Sequence, residues 1–160
     1  QNSSSPREGR LANISGVEVG EAPGGLLAVG AHDGFERSHG IIHHRKLYLK
    51  TGGANLRGAD HLEYTGAPGE IPNLAVIRFH LHPKVTAAML ANGSVLMKIR
   101  GSRVGWNFKA DGAIAEIDNS VYFEDGVRQS SQQIVLKAVI NDIRTTGSHE
   151  VRWAFSRGTQ

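Results

Sequence analysis

Short runs in which apolar and polar residues alternate recur along this chain about every ten residues. Alternation turns successive side chains to opposite faces of a strand, whereas a helix buries residues three and four positions apart. Helical spacing is nearly absent, so the pattern predicts an all-β fold. The predicted strands cover residues 13–19, 26–33, 41–49, 55–62, 74–82, 94–100, 104–109, 113–123, 129–140 and 149–157.

Turn residues separate these runs and account for many of the 20 glycines among the 160 residues. Asn92-Gly93 and Asp111-Gly112 have the composition of tight hairpin turns, because both residue types tolerate a positive φ. Only residues 84–90 leave two alternatives open. They follow a proline, which can begin a helix, but their sequence is equally compatible with a strand.

Ten strands are too many for one flat sheet and are typical of two packed antiparallel sheets. We therefore predict a two-sheet antiparallel β-sandwich in one domain over residues 11–157. Residues 1–10 are polar and are predicted to be a linker or a disordered end. Residues 66–73 contain two prolines and two glycines and are predicted to be a flexible loop.

Composition excludes several classes of protein. The chain has no cysteine, so a disulfide scaffold, a thiol nucleophile and a cysteine-ligated metal are excluded, and any metal site must use histidine and carboxylate. The net charge of +3 comes from scattered basic residues, which argues against a nucleic-acid partner. No apolar run approaches the roughly 18 residues that a membrane helix needs, so no membrane span is expected.

The strand predicted over residues 74–82 places three basic side chains on one face. Arg78, His80 and His82 alternate with apolar residues, so their side chains project the same way. Such a row can bind an anion, and the two imidazoles, about 6–7 Å apart, can ligate one metal. The alternative is a solvated face, which antiparallel sheets commonly expose.

Two further histidine clusters lie on neighbouring predicted strands. His43 and His44 are adjacent, so their side chains point to opposite faces and at most one of them can join a given site. His32 and Asp33 lie where a strand breaks into a turn, and such strand ends often carry binding sites. For His43 and His44, the alternative is a half-buried histidine whose hydrogen bonds are made by neighbouring groups. For His32 and Asp33, the alternative is a turn in which the histidine has no role in binding.

Three aromatic residues also allow two interpretations. Trp106, Tyr122 and Trp153 could form a platform on which sugar rings stack, or they could fill the core. Aromatic residues at strand spacing more often fill the core.

Several segments, in their order and spacing, resemble one family. They are HDGF at 32–35, IIHHRKLYL at 41–49, NLRGAD at 55–60 and IRFHLHP at 77–83. Later segments agree: GWNF at 105–108, SVYF at 120–123, QQIVL at 132–136 and VRWAF at 151–155. Over residues 11–157 the chain resembles the C-terminal domain of heparinase II/III-like proteins of the alphaproteobacterial type.

The resemblance implies a polysaccharide lyase, in which an N-terminal α/α toroid packs on a C-terminal β-sandwich and acidic polysaccharide lies between them. The implied reaction is β-elimination at a uronic acid, as in glycosaminoglycan cleavage. Because the toroid is not in this sequence, the chain is expected to be part of the C-terminal domain and not catalytically complete. Its expected partners are the toroid and acidic polysaccharide, and its expected location is the periplasm or cell envelope, with the cytoplasm as the alternative. The alternative function is that of a noncatalytic carbohydrate-binding or structural β-sandwich.

The same resemblance implies roles for particular residues. His43, Arg45 and Arg78 are candidates for the catalytic cleft, whereas the catalytic base is expected upstream of this chain. Substrate contacts are expected from Arg78, His80 and His82.

A metal is implied in the same way. Relatives hold a structural zinc ion in the sandwich with histidine and aspartate ligands. His32 and Asp33 are therefore the candidate zinc ligands in this chain, and His32 is alternatively a residue of the cleft.

Overall fold

The computed structural model describes residues 12–158, which form eleven strands and two single-turn helices. The predicted all-β class is confirmed. The strands are β1 (Ile14–Ala22), β2 (Gly25–Phe35), β3 (Ile41–Lys50), β4 (Asn55–Tyr64), β5 (Leu74–His80), β6 (Val85–Met89), β7 (Val95–Ile99), β8 (Gly105–Asp111), β9 (Ile114–Glu124), β10 (Val127–Val139) and β11 (Ser148–Arg157), and the helices are α1 (Glu36–His39) and α2 (Ile143–Thr146).

The strands form two antiparallel sheets, which confirms the predicted sandwich. The large sheet has eight strands in the order β1-β2-β3-β4-β11-β8-β7-β6, and the small sheet has three in the order β5-β10-β9. Because three strands face eight, the small sheet covers only part of the large one. Among the described strands, β5 pairs with β10 alone, so no strand within residues 12–158 covers its other edge.

The core lies between the two sheets and is built by the alternation that the sequence shows. On β5, Ile77 and Phe79 face the large sheet and pack against the core, while Arg78 and His80 are exposed on the outer face. The facing strands of both sheets contribute fully buried apolar side chains in the same way. These side chains include Val95, Phe108, Ile134, Leu136 and Val151.

The segment that the sequence left open is a strand. Residues Val85–Met89 form β6, which pairs with β7 in antiparallel register. Asn92-Gly93 lies between these strands, and Gly93 has a φ of 78°, so the predicted hairpin at this position is confirmed. The pairing with β7 decides for the strand, because residues 84–90 alone satisfy either periodicity.

The second predicted hairpin is wrong. Asp111 ends β8 in the large sheet, and Ile114 begins β9 in the small sheet, so Asp111-Gly112 carries the chain from one sheet to the other. Gly112 has the expected positive φ of 79°. A positive φ permits a sharp reversal of the chain but does not choose the partner strand, which explains why the dipeptide misled the prediction.

Both helices are single turns that the sequence analysis did not predict. Each is followed by a glycine in the left-handed region, Gly40 (φ 65°) and Gly147 (φ 80°), whose backbone N–H closes the turn on the helix. Residues 66–73 form no regular element, as predicted, and connect β4 to β5. The prediction for residues 1–10 lies outside the described residues. No helix within residues 12–158 has the length and hydropathy to span a membrane.

Candidate functional site

A pocket of about 480 Å³ opens where the free edge of β5 meets the uncovered inner face of the large sheet. Strands β2, β3 and β4 form one wall, and β5 forms the opposite wall. Its lining is mostly apolar, with a few polar groups that converge on it, which is the usual composition of a ligand site. The polar groups are His32, His39, His43, Arg45, Asp60 and Arg78.

Asp60 lies at the base of this pocket and is only 1% exposed. Three donors surround its carboxylate: His43 Nε2 and Arg45 Nε contact Oδ1 at 2.6 Å each, and Trp153 Nε1 donates to Oδ2 at 2.7 Å. The donors come from β3 and β11, the two neighbours of β4 in the sheet. The carboxylate therefore ties three adjacent strands together from inside the sandwich.

These donors decide the charge state of Asp60. Burial by itself raises the pKa of the carboxyl. The hydrogen bonds from His43, Arg45 and Trp153, together with the charge of Arg45, outweigh burial and lower the pKa below its usual value of 3.8. Asp60 is therefore an anion at neutral pH, and the cation of Arg45 balances its charge.

The lowered pKa predicts a loss of stability in acid. A carboxyl whose pKa is lower in the folded than in the unfolded protein stabilises the fold above the unfolded value, and this contribution is lost as the pH falls through the folded value. We expect the urea midpoint to fall from about pH 4 downward, and Asp60→Asn to show a weaker pH dependence over the same range. Equal acid sensitivity in both proteins, measured by urea denaturation at pH 7 and pH 3, would contradict this.

Two imidazoles extend the network from Asp60 to the mouth of the pocket. The backbone N–H of Gly34 donates to His32 Nδ1 (3.2 Å), so the His32 proton lies on Nε2, which faces His43 Nδ1 at 2.9 Å. His43 in turn carries its proton on Nε2 and donates it to Asp60. An irregularity in the β2–β3 register between His32 and Phe35 allows the Gly34 amide to turn back to His32.

His32 is a neutral group at pH 7. Burial lowers the pKa of its imidazole below the usual 6.5, and the neighbouring His43 and Arg45 side chains lower it further, while Asp33 opposes them. The permanent positive charges of the pocket are those of Arg45 and Arg78.

Arg78 reaches the pocket from β5. Within residues 12–158 its guanidinium has no hydrogen-bond or ion-pair partner. Arg45 bonds through Nε to Asp60 and through no other side-chain nitrogen to the described residues. Since Asp60 balances Arg45, the charge of Arg78 is left without a counter-charge from the described residues.

The structure brings four of the candidate residues together and separates the others from them. His32, His43, Arg45 and Arg78 all line the pocket. His44 points the other way and contacts Glu63 at 2.9 Å, so the expectation that only one of the adjacent histidines joins a site holds.

The remaining candidates have other neighbours. Asp33 accepts hydrogen bonds from the backbone and side chain of Asn13 at 2.7 Å each. His80 contacts Ser120 on the outer face of the small sheet, and the His82 ring lies against Tyr122.

Asp60 and Trp153 belong to the site, although the sequence analysis assigned no site role to Asp60. The strand alternation could have identified Asp60, because this residue occupies an inward-facing position of β4, between Gly58 and Leu62. A lone carboxylate in a row of core positions requires partners, since an unpaired buried charge is very costly. Trp153 is buried and contacts Phe79, so its core interpretation is correct, and its indole N–H also serves the site.

The described residues do not by themselves form a zinc site. Zinc takes three or four protein ligands, and residues 12–158 contain no group of three or more histidine, aspartate or glutamate side chains placed to hold a metal. The His32 ring nitrogens face Gly34 and His43, and the Asp33 carboxylate accepts bonds from Asn13.

The fold and site define an all-β sandwich with a cationic pocket between its sheets. Residues 1–154 match the family model described as heparinase II/III-like, C-terminal, and the chain belongs to this family. The fold is similar to that of a solved heparinase III gene product, with a TM-score of 0.68, 8% identity and 93% of this chain covered. A crystal structure of heparinase III gives a TM-score of 0.61, with 11% identity and 91% of this chain covered.

A curated relative shares more of the sequence. FtsZ-localized protein C of Caulobacter vibrioides is 33% identical over 141 residues, which is 84% of this chain. The chain spans only 24% of the length of this relative, and 22% and 21% of the two heparinase III chains.

Proposed function

We propose that this chain is the sandwich domain of a lyase that cleaves acidic, uronic-acid-containing polysaccharide by β-elimination. In this proposal the pocket at the β5 edge binds a uronate carboxylate. The observation that carries it is that Arg45 and Arg78 both line a concave, largely apolar pocket, and that no residue within 12–158 pairs with the Arg78 guanidinium. Membership of the heparinase II/III-like family supports the choice of substrate.

The chemistry of elimination explains why such a pocket is useful. A base must remove the proton α to the carboxylate, and the anionic carboxylate opposes a second negative charge at that carbon. Arginines that hold the carboxylate neutralise it and stabilise the charge that develops on it. Asp60 holds Arg45 in place through Nε, so its remaining nitrogens are positioned for the ligand. We propose that the catalytic base lies outside this chain.

Arg78→Met in the full-length protein is expected to lower kcat/KM on acidic polysaccharide by about 10- to 100-fold, since a hydrogen bond to a charged group contributes about 1.5–3 kcal/mol. Product formation is followed by the ultraviolet absorbance of the unsaturated sugar. Arg100→Met is the matched control, because Arg100 is another exposed arginine whose guanidinium has no partner among the described residues, and it lies outside the pocket lining.

Two outcomes would reject the proposal. The first is that the full-length protein forms no unsaturated product from heparan-like or alginate-like polymers. The second is that Arg78→Met and Arg100→Met retain equal activity on a polymer that the wild type cleaves.

A noncatalytic role is the second candidate, and the relationship to FtsZ-localized protein C favours it. In this case the full-length protein binds glycan or a partner at the sites of FtsZ without cleaving polysaccharide. A fluorescent fusion that coincides with FtsZ, in a protein that forms no unsaturated product, would select this role. A fusion distributed independently of FtsZ, in a protein that cleaves polysaccharide, would select the lyase.

Zinc and location remain proposals for the longer protein. A structural zinc near His32 and Asp33 predicts about one equivalent of zinc in purified full-length protein and its loss in His32→Ala, as measured by elemental analysis. A location in the periplasm or cell envelope predicts that cell fractionation recovers the protein outside the cytoplasm.

A further inference from the structure

The outer face of the small sheet carries a polar and aromatic cluster that the pocket does not use. We call it the outer-face cluster. The register pairs Gln133 of β10 with His80 of β5, and pairs Ser131 and Gln129 of β10 with Ser120 and Tyr122 of β9. Cross-strand partners project from the same face of a sheet. The cluster comprises His80, His82, Ser120, Tyr122, Ser131 and Gln133.

Two contacts with β9 span the central strand, one from His80 of β5 and one from His82, two residues after the end of β5. His80 Nδ1 contacts Ser120 Oγ at 2.8 Å, and the rings of His82 and Tyr122 lie 4.9 Å apart at 60°. The Tyr122 hydroxyl has no hydrogen-bond partner in the part of the chain that the structure describes. The aromatic ring of Tyr122 has a hydroxyl that is available for a hydrogen bond, and polar groups surround it. Such a site suits a ligand that has both apolar faces and hydroxyls.

Unpartnered polar atoms lie beneath these contacts. Gln133 is only 8% exposed, and its Nε2 donates to the Asn119 carbonyl at 2.9 Å. Among residues 12–158, Gln133 Oε1 and Ser131 Oγ are the buried side-chain atoms without any hydrogen-bond partner. Buried polar groups are nearly always satisfied, so an exception points to a ligand or a water at that place.

Arg78 connects this cluster to the pocket. It lies on the same face of β5 as His80, and it also lines the pocket. Arg78 and His82 are four residues apart, which is about 13 Å at the rise of a strand. A ligand that contacts both places must therefore be at least about 13 Å long.

We propose that the outer-face cluster is a saccharide subsite, in which a pyranose ring stacks on Tyr122 and its hydroxyls bond directly to His80 and Ser120 and, through a buried water, to Gln133. An acidic oligosaccharide held in the pocket continues past Arg78 to this subsite. The course of the ligand through the pocket rests on the proposed function, whereas the subsite rests on its own contacts.

The test uses full-length protein with octasaccharides and disaccharides derived from heparan sulfate and from alginate. Tyr122→Ala is expected to weaken octasaccharide binding about tenfold and to leave disaccharide binding unchanged, as measured by calorimetry. Phe123→Ala is the matched control, because Phe123 is the adjacent aromatic residue, is 67% exposed and projects from the opposite face of β9. Equal effects of the two substitutions, or no octasaccharide binding by the wild type, would overturn the subsite.

Gln133→Met separates binding from folding. If Gln133 contributes to ligand binding, this substitution preserves or raises the thermal midpoint of unfolding but weakens octasaccharide binding about fivefold. Unchanged affinity in a folded Gln133→Met protein would count against the subsite. If Arg78→Met leaves polysaccharide cleavage intact while Tyr122→Ala still weakens octasaccharide binding, the pocket proposal fails and the subsite stands.

Discussion

Asp60→Ala is expected to lower the free energy of unfolding by about 2–4 kcal/mol, because it removes a buried carboxylate that accepts three hydrogen bonds and leaves the buried indole N–H of Trp153 unpaired. The loss affects three donors at once. Arg45 and His43 lose their acceptor, and the buried indole N–H of Trp153 is left without a partner. The wall of the pocket formed by β3 and β4 should loosen, so ligand binding should fall as well.

Urea denaturation monitored by circular dichroism measures this loss. Asp111→Ala is the control, because Asp111 also pairs with an arginine, Arg152, but both side chains are more than half exposed. Exposed ion pairs contribute about 0–1 kcal/mol, so the control should change little. A loss below about 1 kcal/mol for Asp60→Ala would show that the carboxylate network does not hold the three strands together.

Gly58→Ala should destabilise the protein by about 1–3 kcal/mol, the usual cost of overpacking a core. Gly58 on β4 lies opposite Trp153 on β11, and a Cβ at this position would lie 2.1 Å from Cζ2 of the indole. The indole cannot move freely, since it is 5% exposed, contacts Phe79 with ring centroids 4.7 Å apart and donates to Asp60. Glycine is therefore required here because the indole occupies the space of a side chain.

Gly20→Ala is the control for this substitution. Gly20 lies on β1, has no heavy atom within 4 Å of an added Cβ and has no positive φ. The control should be neutral or slightly stabilising, because alanine reduces the freedom of the unfolded chain. Intrinsic Trp153 fluorescence should shift only in Gly58→Ala. Similar midpoints for both variants would contradict the packing argument.

Much of the fold follows from local patterns. The alternation in β5 correctly assigns Ile77 and Phe79 to the core and Arg78 and His80 to the outer face. The opposite directions of His43 and His44 follow from adjacency alone. Such inferences succeed because the side chains of a strand alternate whatever its partners are.

The pocket could be predicted only in part. His43, Arg45 and Arg78 were candidates, but nothing local shows that β5 ends the small sheet beside β3. The sequence pattern does not single out Asp60 as a site residue, because its role depends on Trp153, which is 93 residues away in the chain. The hairpin predicted at Asp111-Gly112 failed for the same reason, since a turn does not choose the sheet that the next strand joins.

The sequence by itself therefore determined the strand content, the face of each side chain and the family resemblance that the family model supports. Only the tertiary structure decided that a three-stranded sheet covers part of an eight-stranded one, which leaves a pocket at the β5 edge. It also decided that Asp60, His43 and His32 form one network, whereas His80 and His82 belong to another face. The physical reason is that strand periodicity is a local property of the backbone, whereas strand order and sheet coverage depend on contacts between distant residues.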